Sequence, residues 1–187
     1  MGTRSATSVL RGVADAAIVN ALDANETGSA RLPFALTDAL NLATGTTENK
    51  ADRCWSDKGR TLGSGVDVQI DIYDFAGENP GAGAGNDALG QAIVLAEVVA
   101  ILVVSASTSV GNVVVGGDQG GVNAADWNPV FNGVDGDALI VRPGGFLFLT
   151  CPPDPAYAVA DTTSHMLTIG AAGGAVTYDL HILGRSA

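Results

Sequence analysis

Hard turns that follow each other closely divide the second half of this sequence into short apolar runs. In residues 141–159, VRPGGFLFLTCPPDPAYAV, the turn residues 143–145 precede one such run and residues 152–155 end it. Proline fixes φ near the value that a tight turn needs, and glycine adopts the positive φ that often follows. The run between them, residues 146–151, is apolar and too short for a stable helix, which predicts a buried strand. Because proline lacks a backbone donor, the chain is expected to leave the sheet at Pro152.

Alternation of apolar and polar residues indicates two further strands. In residues 66–75, Val, Val, Ile and Ile alternate with Asp, Gln, Asp and Tyr, and residues 175–183 repeat the pattern. Such alternation is typical of half-buried strands with one wet face. Further short apolar runs occupy residues 92–105, 112–117, 138–142, 157–160 and 165–170. Short strands at near-regular spacing, with turns between them, predict an all-β protein that forms an antiparallel, jelly-roll-like β-sandwich.

The first sixty residues follow a less regular pattern. The Ala-rich residues 7–24 space their apolar side chains as a weak amphipathic helix does, whereas residues 31–37, RLPFALT, alternate as a strand does. We therefore predict an N-terminal arm or subregion over residues 1–60 and a β-sandwich body over residues 61–187. The alternative is that residues 1–60 simply supply the first strands of one domain.

The charge distribution also separates these two regions. The formal net charge is −11, yet residues 1–60 hold seven basic and seven acidic residues, whereas thirteen acidic residues against Arg142 and Arg185 follow. An acidic body repels nucleic acid and anionic lipid, so neither is an expected partner. Two interpretations stay open: the two regions face different surroundings, or the acidity only keeps an apolar protein soluble. On the first interpretation, the basic residues expected to contact a partner are Arg4, Arg11, Arg31, Arg53 and Arg60.

The two cysteines, Cys54 and Cys151, lie far apart in the sequence and outside any CxxC or Cys/His cluster. Metal-ligand spacing is therefore missing, and one disulfide is conceivable without being implied. We predict two free, buried thiols.

No segment reads as a signal peptide or a membrane span. Residues 1–8 are not followed by a strong apolar region, and the longest apolar run, residues 92–104, is interrupted by Glu97. That run is also shorter than the roughly 20 residues that cross a bilayer. These features predict a protein made in the cytoplasm.

Residue patterns that support catalysis or cofactor binding are weak throughout. The glycines of residues 76–90 do not complete a GxGxxG motif before a helix, and no βαβ alternation follows. His181 shares the polar strand face with Asp179, a pair that could tune a pKa, but no serine lies in a GxSxG context. Acidic turns occur without a calcium-binding repeat. We therefore predict a protein that is not an enzyme and has no catalytic residue, cofactor or metal.

Four segments together resemble one family of phage proteins. They are the strand NVVVGG at 112–117, the VRPGG turn and apolar strand at 141–149, the proline corner at 153–159, and the closing strand TYDLHILG at 177–184. In this order they resemble the small virion proteins that tailed bacteriophages encode near their head genes. The resemblance covers roughly residues 50–185 and rests on strands and turns rather than on reactive groups.

This resemblance implies a structural role. Proteins of this kind are described as head decoration, cement or minor structural components, and they are often β-sandwich trimers. The expected partner is the major capsid protein, the expected assembly is a homotrimer, and the expected location is the outer surface of the capsid. Residues 1–60 are expected to supply much of the shell or intersubunit contact.

An alternative function is host recognition as a glycan-binding head-fibre or tail component. Loops over residues 76–90 and 117–137 could hold a sugar ring, with Trp127 stacking on it. A lone tryptophan in a loop is more often a partly buried anchor. The motifs do not separate a head protein from a tail protein.

Overall fold

A computed structural model describes residues 8–21, 29–42, 45–76, 85, 92–116, 126–127 and 137–186. Every regular element in this part of the chain is a β-strand, and no helix there is long and apolar enough to cross a membrane. The chain divides into two compact units, Met1–Thr44 and Gly45–Ala187. We call the second unit the body.

The first unit contains one long hairpin. Strand β1 (Ser8–Ala21) pairs with β2 (Ser29–Leu42) in antiparallel register from Ser8↔Leu42 to Ala21↔Ser29. The predicted strand at residues 31–37 is confirmed, whereas the predicted helix at residues 7–24 is wrong. Alanine fits the period of a helix as well as that of a strand, and the β-branched residues of this segment favour the strand once a partner is present.

The body is a sandwich of two antiparallel sheets. One sheet has the order β3-β11-β5-β8, with β9 also pairing with β5, and the other has the order β4-β10-β6-β7. Apart from the short β9, strands that follow each other along the chain lie in different sheets, except β6 and β7, which pair with each other in one sheet; this connectivity is that of a jelly roll. The predicted all-β sandwich is confirmed. The strands are β3 (Arg53–Leu62), β4 (Asp67–Asp71), β5 (Glu97–Ser105), β6 (Asn112–Gly116), β7 (Ala138–Val141), β8 (Phe146–Thr150), β9 (Tyr157–Ala158), β10 (Met166–Ala172) and β11 (Val176–Arg185).

The division between the units differs from the predicted boundary after residue 60. Strand β3 pairs along most of its length with β11, and the segment before it is also bonded into the body. The amide of Asn49 donates to Pro152 O (3.0 Å), and the amide of Asp52 donates to Gly184 O (3.1 Å). Residues 45–60 therefore belong to the sandwich.

Alternation places the core between the two sheets. In β11 the apolar residues Val176, Tyr178, Leu180 and Ile182 are buried, and the polar residues between them are only partly covered. In the segment 66–75 the predicted inner residues Ile70 and Ile72 are fully buried. Both sheets contribute to one continuous hydrophobic cluster, which is the core of a sandwich.

The two predicted corners both form. In the first, Gly145 N donates to Arg142 O (2.8 Å), and Gly144 has a φ of 76°, which is the geometry of a type II turn. In the second, the chain leaves β8 after Thr150 and returns as β9 to pair with the same strand, β5. The prediction that residues 146–151 are buried is wrong: β8 is an edge strand, and Phe146 is 64% exposed.

The two cysteines form no disulfide, as predicted. Their predicted burial is wrong, because Cys54 is exposed and Cys151 is half-buried. In β3 the inward position belongs to the neighbouring Trp55, so the alternation of the strand directs Cys54 to the outer face.

An arginine near the end of β11 connects four segments of the body. Arg185 is only 1% exposed, and its Nη1 donates to Glu97 Oε2 (2.6 Å) and to Pro153 O (3.0 Å). Its Nη2 donates to Pro152 O, and its Nε donates to Lys50 O (2.9 Å). The proline corner is therefore bound to the last strand through a buried cation.

We expect that substituting Gly111 with alanine lowers the free energy of unfolding of the body by about 3 kcal/mol. Gly111 is buried, and an added Cβ would lie 2.7 Å from Ala172 O and closer still to Gly174 O, so the backbone must shift. Urea denaturation measures the effect. Gly63→Ala is the matched control, because a Cβ there meets only Val66 Cγ2 at 3.4 Å. Equal stability of the two variants would contradict the prediction.

Candidate interaction surface

Each of the two histidines of the body lies close to a different polar side chain. His165 Nε2 is 3.8 Å from Asp71 Oδ2, and His181 Nδ1 is 2.8 Å from Ser56 Oγ. Within the described residues, no group of three or more His, Cys, Asp or Glu side chains could hold a metal ion.

The pair Ser56–His181 was not foreseen from the sequence, because only the register of β3 with β11 brings the two residues together. Asp179, on the same strand face, accepts a hydrogen bond from the Gly59 amide (2.8 Å). The Gly59–Asp179 bond lies at a register shift between Tyr178 and Leu180, and the Ser56–His181 bond follows directly after the shift. All of these groups sit on the outer face of a sheet, so we interpret them as cross-strand contacts that hold β3 on β11.

Trp127 is an anchor inside the body. It is 2% exposed, its Nε1 donates to Ala158 O (3.0 Å), and its ring meets Tyr157 edge-on at 6.1 Å. Burial raises the pKa of Tyr157, and the negative charge of a Cys151 thiolate raises it further. The expected anchoring role of Trp127 is confirmed, and its indole is not available to stack on a sugar. Most of the two loops expected to bind a sugar lies outside the described residues, namely residues 77–84, 86–90, 117–125 and 128–136.

The two open sides of the sandwich differ sharply in charge. On one side lie the edge strands β3 and β4. Charged residues occur along both strands, which is how natural proteins prevent edge-to-edge pairing with other chains. These residues are Arg53, Asp57, Lys58, Arg60, Asp67 and Asp71.

On the other side lie β7 and β8, which contain no charged residue. Leu139 is 37% exposed, and Ile140 and Phe146 are each 64% exposed. The turn between the two strands adds the exposed Arg142. We call these four residues the edge surface. Edge strands with high β-propensity, exposed apolar residues and no charge favour contact with another protein.

The edge surface is held in place by the turn that joins the two sheets. The amide of Gly144 donates to Ser105 O (3.1 Å), and the amide of Ser105 donates to Gly145 O (2.9 Å). Pairing with β5 aligns Phe146 with Val104, and pairing with β6 aligns Ile140 with Val114. Each exposed side chain therefore belongs to an edge strand that pairs with an inner strand of its sheet.

The arginines predicted to contact a partner have different surroundings. Arg53 pairs with Asp52 (2.8 Å) and Arg60 with Asp57 (3.4 Å), so both charges are compensated locally. Arg11 lies on β1 opposite Ala39, and Arg31 lies on β2 opposite Val19. Arg4 lies outside the described residues. A partner contact by these five residues stays a prediction.

Comparison of the chain with known protein families, with curated proteins and with solved structures finds no match. The resemblance to phage virion proteins therefore stays a prediction.

Proposed function

We propose that this chain is a structural protein of a bacteriophage virion that decorates or cements the capsid shell. The edge surface binds the major capsid protein, and the acidic remainder of the body faces solvent. The observation that carries the proposal is the contrast between the two open sides of the sandwich. One side is charged along both edge strands, whereas the edge strands of the other contain no charged residue and expose apolar side chains, with Arg142 in the turn between them.

The physical basis of this binding is apolar burial. Burying a Leu, Ile or Phe side chain fully contributes about 1.5–3 kcal/mol, and three exposed residues of this kind lie on the edge strands β7 and β8. An added strand could also satisfy the free backbone groups of β7 or β8. Arg142 gives the surface a cation in a region that is otherwise acidic, since Arg185, the other basic residue after residue 60, is buried. Jelly rolls occur in viral capsid domains, so the fold is compatible with this role.

We expect that Phe146→Asp or Ile140→Asp weakens binding to shells of the major capsid protein of the same virus by about a hundredfold. Each change places a charge where an apolar residue is buried on binding, and both positions are exposed in the isolated chain. Cosedimentation of purified protein with shells measures the affinity.

Val66→Asp is the matched control for this experiment. Val66 is also an exposed apolar residue, with 47% of its surface accessible. It lies between the charged strands β3 and β4, on the opposite side of the sandwich. Equal loss of binding in all three variants, or no loss in any of them, would contradict the role of the edge surface. Heating shells with and without bound protein then separates a cement from a decoration.

A second candidate function is glycan recognition as a head-fibre or tail component. The fold is compatible with it, because jelly rolls also occur in lectins. The buried Trp127 removes the residue that was expected to stack on a sugar. A glycan array with the purified protein tests this function directly, and the number of copies per particle separates a decorated shell, with many copies, from a tail, with few.

A further inference from the structure

The register of the hairpin divides its residues between two faces. Even-numbered residues pair with even-numbered residues, as Ala14 does with Leu36 and Ala16 with Phe34, and odd-numbered residues pair with odd-numbered ones. Because successive residues of a strand alternate between its faces, all even-numbered residues share one face. We call it the even face.

The two faces differ in charge. Within β1 and β2, the even face carries a single charged residue, Asp38, whereas the odd face carries Arg11, Asp15 and Arg31. The remaining residues of the even face are mostly apolar. A two-stranded hairpin has no interior of its own and is marginally stable in water, so such a face requires another surface to cover it.

The even face is also complementary to itself. Along β1 its middle positions are the small residues Gly12, Ala14 and Ala16. Along β2 the positions opposite Ala16 and Ala14 are the large residues Phe34 and Leu36. The face therefore consists of a row of small residues beside a row of large ones. A second copy, rotated by half a turn about an axis parallel to the strands, places its small row over the large row of the first.

We propose that the even face is the surface at which two copies of this chain associate, in place of the homotrimer that the resemblance to phage virion proteins implies. Such a two-fold contact uses the same patch on both copies. Charge favours this occupant. Residues 45–187 hold sixteen acidic against six basic residues, whereas β1 and β2 together hold two of each, so a contact between hairpins meets less like-charge repulsion than a contact between bodies. The proposal does not depend on capsid binding.

The test compares neighbouring residues on opposite faces of β2. Sedimentation of the full chain over a range of concentrations, without shells, is expected to show a species of two chains. Leu36→Asp should raise the dissociation constant about a hundredfold, because it places an unpaired charge in a buried apolar contact. Thr37→Asp introduces the same group one residue away, on the odd face, and should leave the dissociation constant unchanged.

A third variant tests the same surface by a gain of affinity. Asp38→Asn removes the only charge that the even face carries within the two strands and should tighten association about tenfold. This result does not depend on whether Leu36→Asp disturbs the hairpin itself. A monomer, a species of three chains, equal effects of Leu36→Asp and Thr37→Asp, or weaker association of Asp38→Asn would each overturn the proposal.

Discussion

Replacing Arg185 with alanine is expected to lower the free energy of unfolding of the body by about 3–5 kcal/mol. The substitution leaves Glu97 without its partner in a partly buried site, and it removes the donors for three backbone carbonyl groups. Unsatisfied buried acceptors and an uncompensated charge both oppose folding. The effect should include detachment of the proline corner at Pro152 from the end of β11.

Urea denaturation followed by tryptophan fluorescence measures this loss. Arg142→Ala is the control, since it removes the same side chain from an exposed turn and should change stability by less than about 0.5 kcal/mol. Arg185→Lys keeps the charge but cannot make all the hydrogen bonds that Nε, Nη1 and Nη2 of the guanidinium donate. The stability of this variant should therefore lie between those of Arg185→Ala and the unchanged protein. Similar stability of the Arg185→Ala and Arg142→Ala variants would show that the buried arginine is not structural.

Replacing Trp127 with alanine is expected to lower the free energy of unfolding by about 3–5 kcal/mol. The indole is among the largest fully buried side chains of the described residues, and its removal leaves a cavity beside Tyr157. Trp127→Phe retains most of the apolar volume but loses the donor to Ala158 O. It should therefore lower the free energy of unfolding by less than Trp127→Ala does, by about the 1–3 kcal/mol that one unsatisfied buried acceptor costs.

Thermal and urea unfolding measure the effect of the Trp127 variants, with Trp55 as the remaining fluorescent reporter. Phe146→Ala is a suitable control, because it truncates an aromatic side chain that is largely exposed. If Trp127→Ala is as stable as Phe146→Ala, the anchoring role is wrong. A variant that keeps its stability but loses binding to a sugar would instead support the glycan function.

The strands whose burial alternates could be predicted from the sequence. In β11 the period of two identifies both the buried residues and the wet face, and in β4 it identifies Ile70. The type II turn at 142–145 could also be predicted, because Pro143 and Gly144 are the residues that this turn requires.

The position of each strand in its sheet could not be predicted in the same way. The composition of β8 is that of a buried strand. However, β8 is an edge strand, because it pairs with β5 on one side and has no neighbouring strand on the other. The exposed Phe146, and with it the edge surface, follows from this tertiary arrangement. In β1 the many alanines permit a helix, and only the pairing with β2 selects the strand.

The contacts of Arg185 could not be predicted from the sequence either. A basic residue near the end of an apolar strand looks like a solvated charge, and its acceptors come from residues far away along the chain: Lys50, Glu97, Pro152 and Pro153. The same holds for Ser56 and His181, which meet only through the register of β3 and β11.

The order β3-β11-β5-β8 has a consequence for synthesis on the ribosome. Strand β11 lies between β3 and β5, yet it is made after both of them and after β8. Until β11 emerges from the exit tunnel, β3 and β5 lack the strand that pairs with both of them, and their apolar faces stay incompletely covered. Such non-local pairing makes folding slow and exposes nascent chains to aggregation. We infer that the sandwich is completed only after translation has passed residue 185. Arg185 then bonds the last strand to segments that were synthesised much earlier.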